Sequence, residues 1–489
     1  MPGVSVTTGT ISGPSAPARA PSSTYFAAGL TERGPITPPT VRNAIYSFNQ
    51  FVATYGARPS FGTAWDDIKT FFEEGGTRLY FQRIVGPAAA AGTLGSALAD
   101  RATTPDDTLT VAAASPGAWS SRVSLNVVDG PTAATYRIQV MLDGAVVEDF
   151  TNLSSPQNGI SKINATSQFI RLADAGSTTA APNNNPKATT TPVTIAAGTD
   201  DRASINTASY IAALDKFSDG LGDGIVALPG IGPSVHTALI AHADAHNRVA
   251  ALAGARGDDK ATMASYAASI DAKRAGYFAP WVQIQDGFGG VRAISPEGFV
   301  AACRARAHER VGPWKAAAGE TGKARFLVGP DQVFTPAEAN DLDGSKVNII
   351  RILAGATRLY GWRSLAADVD NWGMLTGADV INRIVVEAAA QMEPYVFDVI
   401  DSSGHLLASV TGTLTGIVQP MASAGGLFAG RDPAGDIVDP GYKVTADDTN
   451  NPVQSLALNQ ILGAVGVRVS PTAAMVFIQV SKAGVTASL

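Results

Sequence analysis

Cysteine is all but missing from this chain. Cys303 is the single one among 489 residues, so no intrachain disulfide can form and a reducing compartment is expected. Charge is scarce too: Asp, Glu, Lys and Arg make up 16%, with 36 basic residues against 42 acidic ones and a formal net charge of -6. No Lys/Arg-rich run stands out, which argues against direct nucleic-acid binding. No run of 18 or more apolar residues occurs, so no membrane insertion is expected. The opening residues, Met1-Pro2-Gly3-Val4-Ser5-Val6, lack the basic and apolar regions of a signal peptide. From these absences an ordered, soluble chain made in the cytoplasm is expected. Its 45% hydrophobic content and its length are enough for two to four domains, and 50 Gly with 29 Pro imply many turns and a strong β component.

The pattern along the chain predicts a mixed α/β, multidomain protein. Residues 1–22 have too little apolar surface to fold alone and read as an N-terminal arm. Residues 23–95 form a first α/β segment: a strand at 24–30, and a helix with Ile45, Phe48, Val52 and Tyr55 at helical spacing. A second helix follows, with Thr63 as N-cap and Gly75-Gly76 as its stop, then a strand at 78–85. Residues 96–200 are nearly all β and read as a domain inserted into the surrounding fold, with Asp143-Gly144 as a type I′ hairpin turn and 177–192 as a surface loop. Residues 201–345 alternate buried strands, at 224–229 and 275–280, with helices near 234–253, 260–273 and 295–311. A C-terminal α/β domain is expected over 346–470. It opens on a strand at 346–351 and contains an amphipathic helix with Leu406, Leu407, Val410, Leu414, Ile417 and Met421 on one face. A strand or arm at 471–489 ends the chain.

No chemical motif survives inspection. His242 and His246 share a helix face, but position 243 is Ala where a zinc protease needs Glu, no third ligand follows, and a solvated helix face is the expectation. Gly319-Glu320-Thr321-Gly322-Lys323 lacks both the first glycine and the hydroxyl residue of a phosphate loop. Gly220, Gly222 and Gly224 precede a strand, where a dinucleotide fingerprint follows one. Cys303 and His308 lie about 140° apart on a helix, too far round for a nucleophile and its base. No catalytic, metal or cofactor residue is therefore expected.

Several short motifs, in order, resemble those of the contractile tail sheath proteins of bacteriophages and related tail-like injection machines. They are Pro2-Gly3-Val4-Ser5-Val6, Glu32-Arg33-Gly34-Pro35, Phe72-Glu73-Glu74-Gly75-Gly76, and Arg83 in its strand. Ser115-Pro116-Gly117-Ala118-Trp119, Gly312-Pro313-Trp314-Lys315, Val347-Asn348-Ile349-Ile350-Arg351 and Tyr360-Gly361-Trp362-Arg363-Ser364-Leu365 complete the series. Position 317 is Ala where that family carries Pro, and Thr376-Gly377-Ala378 stands where it tends to carry a basic pair. The resemblance implies a subtilisin-like α/β domain without protease chemistry. It also implies a virion or tail-like particle in which copies of the chain stack as rings around a tail tube protein, between a baseplate and a tail terminator. Both chain ends would act as inter-subunit arms, with Val4 and Val6 at one end and Val476, Ile478 and Val480 at the other. No cofactor is implied. An α/β hydrolase or metal enzyme is the rival reading from another class.

Overall fold

The computed structural model describes residues 22–132, 134–287 and 289–475. The chain first lays down β1 (Thr24–Gly29), α1 (Phe48–Tyr55), α2 (Ala64–Glu73) and β2 (Arg78–Arg83). It then builds β3 (Leu98–Ala99), β4 (Asp107–Ala113), β5 (Val123–Asp129), β6 (Tyr136–Leu142), β7 (Ala145–Leu153), α3 (Pro156–Thr166), β8 (Ile170–Asp174) and β9 (Val193–Thr194). Next come α4 (Thr207–Leu214), β10 (Ile225–Ala227), α5 (His236–Ala245), β11 (Val249–Ala253), α6 (Lys260–Ala268), β12 (Ala275–Ala279) and β13 (Val282–Gln285). They lead into β14 (Val291–Ile294), α7 (Glu297–Arg310), β15 (Gly329–Pro330), α8 (Pro336–Gly344), β16 (Val347–Leu353) and β17 (Ala356–Leu359). Last are α9 (Val369–Trp372), α10 (Leu375–Met392), α11 (His405–Ser423), β18 (Gly430–Arg431), β19 (Ile437–Asp439), β20 (Tyr442–Thr445), α12 (Val453–Ala457) and β21 (Ala464–Val467).

Seven strands make one central sheet in the order β17-β16-β12-β11-β10-β1-β2, parallel except for the edge hairpin of β16 with β17. Parallel strands buried on both faces read as unbroken apolar runs, as in Tyr25-Phe26-Ala27-Ala28. Alternate side chains feed opposite layers. Tyr25 and Ala27 pack with Phe51, Ile68, Phe71 and Phe299 of α1, α2 and α7. Phe26 and Ala28 pack with Leu214, Leu239, Met263 and Leu342 of α4, α5, α6 and α8. The result is a three-layer α/β/α domain.

The β-rich block has its own core, including Leu109, Val123, Val140 and Ile163, between the sheets β3-β4-β8 and β7-β6-β5-β9. Its entry and exit lie side by side: Ala90 and Thr199 exchange backbone hydrogen bonds of 2.8 and 2.9 Å. Asp143 and Gly144 both take positive φ, 51° and 82°, as a type I′ turn between β6 and β7 requires. C-terminal to the central sheet, α10 and α11 pair around Val380, Ile384, Val410, Leu414 and Ile417. Two small sheets, β18-β19 and β20-β21, lie beyond them.

Five expectations change. The alanine-rich run 249–253, expected as helix, is the central strand β11, because burial on both faces outweighs alanine's helix propensity. Residues 347–353 join the central sheet as β16, so that sheet crosses the expected boundary at 345/346. The β-rich block carries a helix, α3, with Ser155 capping Asn158 N–H and Pro156 in the first turn. Thr63 does not cap α2; its hydroxyl donates to Pro229 O at 3.0 Å. The loop 177–192 is partly fastened down: Asn185 is fully buried and donates to Ala134 O, while Arg101 Nε donates to Pro186 O. Of the expected strand or arm at 471–489, Val476, Ile478 and Val480 lie outside the described residues, as do Val4 and Val6.

Candidate assembly interface

The motif residues converge in space on a few joints. Arg83, at the end of β2, is 1% exposed and meets no acid directly. Its guanidinium donates to Thr31 O (3.3 Å), Glu32 O (3.2 Å), Gly34 O (3.2 Å) and Pro116 O (2.9 Å). Burial holds its pKa down at about 10. Gly34 N–H donates to Ser115 Oγ (3.1 Å), Trp119 Nε1 to Pro116 O (3.1 Å), and Arg33 lies 4.9 Å from the Phe169 ring. Gly117 has φ 127°, and a Cβ there would come within 2.8 Å of Trp119. Glu32-Arg33-Gly34, Arg83 and Ser115-Pro116-Gly117-Ala118-Trp119 thus form one joint between the central domain and the β-rich block; Pro35 beside it is exposed.

The other motifs make smaller joints. Buried Glu74 accepts the backbone N–H groups of Arg325, Phe326 and Leu327 at 2.7–3.1 Å, plus Arg306 Nη1 at 3.3 Å. Gly75 and Gly76 let the chain pass, since a Cβ on either would strike Arg325 or Phe71. Asn348 Oδ1 accepts Arg363 N–H (2.6 Å), a Cβ on Gly361 would press on Asn348, and Arg363 makes a two-armed pair with Asp343 at 2.7 Å. Arg351 stacks 4.4 Å from the Tyr360 ring. Buried Pro313 precedes Trp314, whose indole lies where a Cβ on Gly426 would be; Lys315 is exposed and closes a turn to Gly312 O at 3.0 Å. All of these are fold-holding contacts.

The enzyme-like residues are also tied up. His242 is buried, contrary to the solvated face expected, because its Nε2 meets Arg248 Nη1 at 2.8 Å. Burial, reinforced by Arg248, pushes its pKa down to about 3. His246 pairs with Asp219 at 2.6 Å, and among the described residues no group of three metal-ligating side chains exists. Burial raises the Cys303 thiol to about 12, far from a nucleophile's range. One constellation escaped the sequence reading: Ser22, His308 and Asp379, 286 and 71 residues apart, lie in a chain. His308 Nδ1 meets Ser22 Oγ at 3.2 Å and its Nε2 faces Asp379 Oδ2 at 3.5 Å. The order mimics a hydrolase triad, yet Arg304 occupies both Asp379 and the Ser22 carbonyl, and the His308 and Asp379 side chains have no solvent exposure. His308 and Asp379 are therefore closed to a substrate.

Among the described residues, exposed apolar side chains are most concentrated in the C-terminal unit. Ten large hydrophobic side chains between 396 and 475 are exposed, among them Phe397 (102%), Val399 (75%) and Val453 (78%). An open groove of about 1620 Å³, lined by Ile384, Met392, Leu406, Val410, Leu456 and Val465 among others, runs beside them. Among the described residues, β20 and β21 pair only with each other, so each has an unpaired edge. Exposed apolar area next to open strand edges marks a surface built to be covered. Among the described residues no helix is long and apolar enough to cross a membrane.

A central α/β/α domain, an inserted β-rich block and a C-terminal unit with an open apolar face make up a multidomain mixed α/β fold. That fold is similar to the fold of tail sheath proteins from contractile machines. The sheath tail protein of Listeria innocua superposes with a TM-score of 0.59 at 10% identity, covering 88% of this chain and 90% of that one. The sheath tail protein of Desulfitobacterium hafniense gives 0.55 at 14% identity over 91% and 94%. The helical sheath of the anti-feeding prophage, in its contracted state, gives 0.55 at 12% identity over 99% of both chains. No protein-family model and no curated protein matches the sequence.

Proposed function

We propose that this chain is the structural, non-enzymatic subunit of a contractile sheath. It polymerises around a tail tube in a phage tail or a phage-tail-like injection machine, and it shortens to drive the tube through a target envelope. The observation that carries the reading is the likeness to a contracted helical sheath over 99% of both chains. In this reading the central domain is the subtilisin-like domain that sheath resemblance implies, a role supported by its parallel sheet with helices on both faces. The exposed groove and the open edges of β20 and β21 receive arms from neighbouring copies, and residues 1–22 and 471–489 supply those arms. Donated strands add backbone hydrogen bonds that survive rigid-body motion. A contact repeated without closing on itself yields a helix, and contraction is a switch between two packings of rigid subunits. The tube, a baseplate and a terminator are the further partners.

Negative-stain microscopy of the purified full chain tests the reading. Tubes or stacked rings are expected from the parent chain. Deleting residues 2–20, or replacing Ile478 with Pro, should leave soluble protein with an unchanged circular dichroism spectrum and no tubes. Uniform small particles from the parent, at concentrations where sheaths assemble, would refute it.

A further inference from the structure

A polar cluster shielded from solvent sits where three distant parts of the chain meet. Helix α7 contributes Arg304 and His308 one turn apart, α10 contributes Asp379, and the segment before α9 contributes Trp362. Asp379 Oδ1 accepts from Arg304 Nε (2.9 Å) and Nη2 (2.7 Å), and its Oδ2 accepts from Trp362 Nε1 (3.3 Å). The side chains of Arg304, His308 and Asp379 are 1% exposed or less. Burial alone would raise Asp379, but Arg304 and His308 hold its carboxyl below the usual range; burial and Arg304 push His308 down from its ordinary value.

Joining α7 to α10 needs only Arg304 and Asp379. The remaining contacts point elsewhere. Arg304 Nη1 donates to the backbone carbonyl of Ser22, and His308 Nδ1 meets the Ser22 hydroxyl at 3.2 Å. Ser22 lies two residues before β1. We infer that this cluster is a clamp on the chain just ahead of β1: Asp379 holds Arg304 in place and faces His308, and those two fix residue 22, and with it the point at which residues 1–21 join the domain. A buried carboxylate suits the task, because removing either partner of such a pair leaves a desolvated charge and the site has no relaxed alternative. Helix α10 runs on from Asp379 into the C-terminal unit, so one residue seats both the arm root and the helix beneath the open groove. Only the consequence for assembly rests on the sheath reading; the clamp itself is a property of the monomer.

The test uses a nitroxide attached to Ala20→Cys in the full-length chain, kept below the concentration at which it assembles. Buried Cys303, its thiol raised to about 12, will not compete for the label. A slow, single-component spectrum is expected in the parent. Arg304→Lys keeps the charge but cannot serve Asp379 and the Ser22 carbonyl together, and should shorten the label's rotational correlation time roughly threefold or more. Ser22→Ala, which removes only the His308 contact, should give a smaller change in the same direction. Asp379→Asn is the strongest variant; where its melting curve shows it unfolded, the Arg304→Lys and Ser22→Ala spectra decide. An unchanged spectrum in Arg304→Lys with the fold intact overturns the clamp, whatever microscopy shows about tubes.

Discussion

Glu297 and Asp67 are fully buried carboxyls packed together where α7 meets α2. Tyr25 OH donates to Asp67 Oδ2 (2.8 Å), Gly298 N–H to Asp67 Oδ1 (2.6 Å), and Gly230 N–H to Glu297 Oε1 (3.3 Å). Ser295 lies beside Glu297, while the neighbouring Asp66 is balanced by Arg58 and Arg292. Burial raises both carboxyls, Glu297 to about 7, and each charge opposes the other. A carboxyl raised by folding binds more protons in the folded state than in the unfolded one. Its contribution is therefore greatest below the ordinary value of 4.5 and is lost as pH climbs through 7. Glu297→Gln, which imitates the protonated acid, should be nearly neutral at pH 4.5. At pH 8 it should stabilise the fold by roughly 3 kcal/mol, seen as a higher melting temperature. An equal shift at both pH values would show that Glu297 does not titrate between them. Such a pair is illegible in sequence: Asp67 reads as an ordinary first-turn acid of a helix, and only the packing of α2 on α7 makes it costly.

The joint around Arg83 belongs to the scale of elements. Four carbonyls from two domains converge on one guanidinium, so Arg83→Ala should leave them unpaired and lower stability by about 3 kcal/mol or more. Arg83→Lys should rescue little, since one ammonium cannot span the planar fork's partners. Hydrogen exchange at 86–92 and 115–122 should rise more than elsewhere; uniform loosening of the molecule would contradict a local joint. The motifs that meet here were readable one by one, but their meeting was not, because the residues lie 30 to 90 positions apart. Element type was legible wherever periodicity was strong, as in α11, whose expected stripe is its buried face. It was misread where composition spoke against environment. Val249-Ala250-Ala251-Leu252-Ala253 carries a helix former's alanines, yet a strand in the middle of a parallel sheet needs small residues under helices on both sides. Helix α3 was overlooked although Ser155-Pro156 is a helix start, because the strands around it dominated the pattern.

At the scale of the whole molecule, the β-rich block hangs from two adjacent strands of chain. Ala90 and Thr199 are already hydrogen bonded to each other, and the block's core shares no residue with the central one. Replacing 92–197 by a short Gly/Ser turn should therefore leave the central domain and C-terminal unit folded. Cooperative melting within about 5 °C of the parent is expected, the deficit coming from the lost Ser115, Pro116 and Phe169 partners of Gly34, Arg83 and Arg33. Aggregation or non-cooperative melting would mean that the block is part of one folding unit with the sheet.

The sequence by itself determined the class of fold, most of the buried strands though not β11, and the hairpin at Asp143-Gly144, because hydrophobic period and turn chemistry are local properties. Tertiary structure alone decided that 347–353 closes the central sheet and that Arg83 gathers three motifs. It alone joined Ser22, His308, Arg304 and Asp379 into one buried cluster. Those outcomes depend on which distant groups lose water together, and desolvation has no signature along a chain.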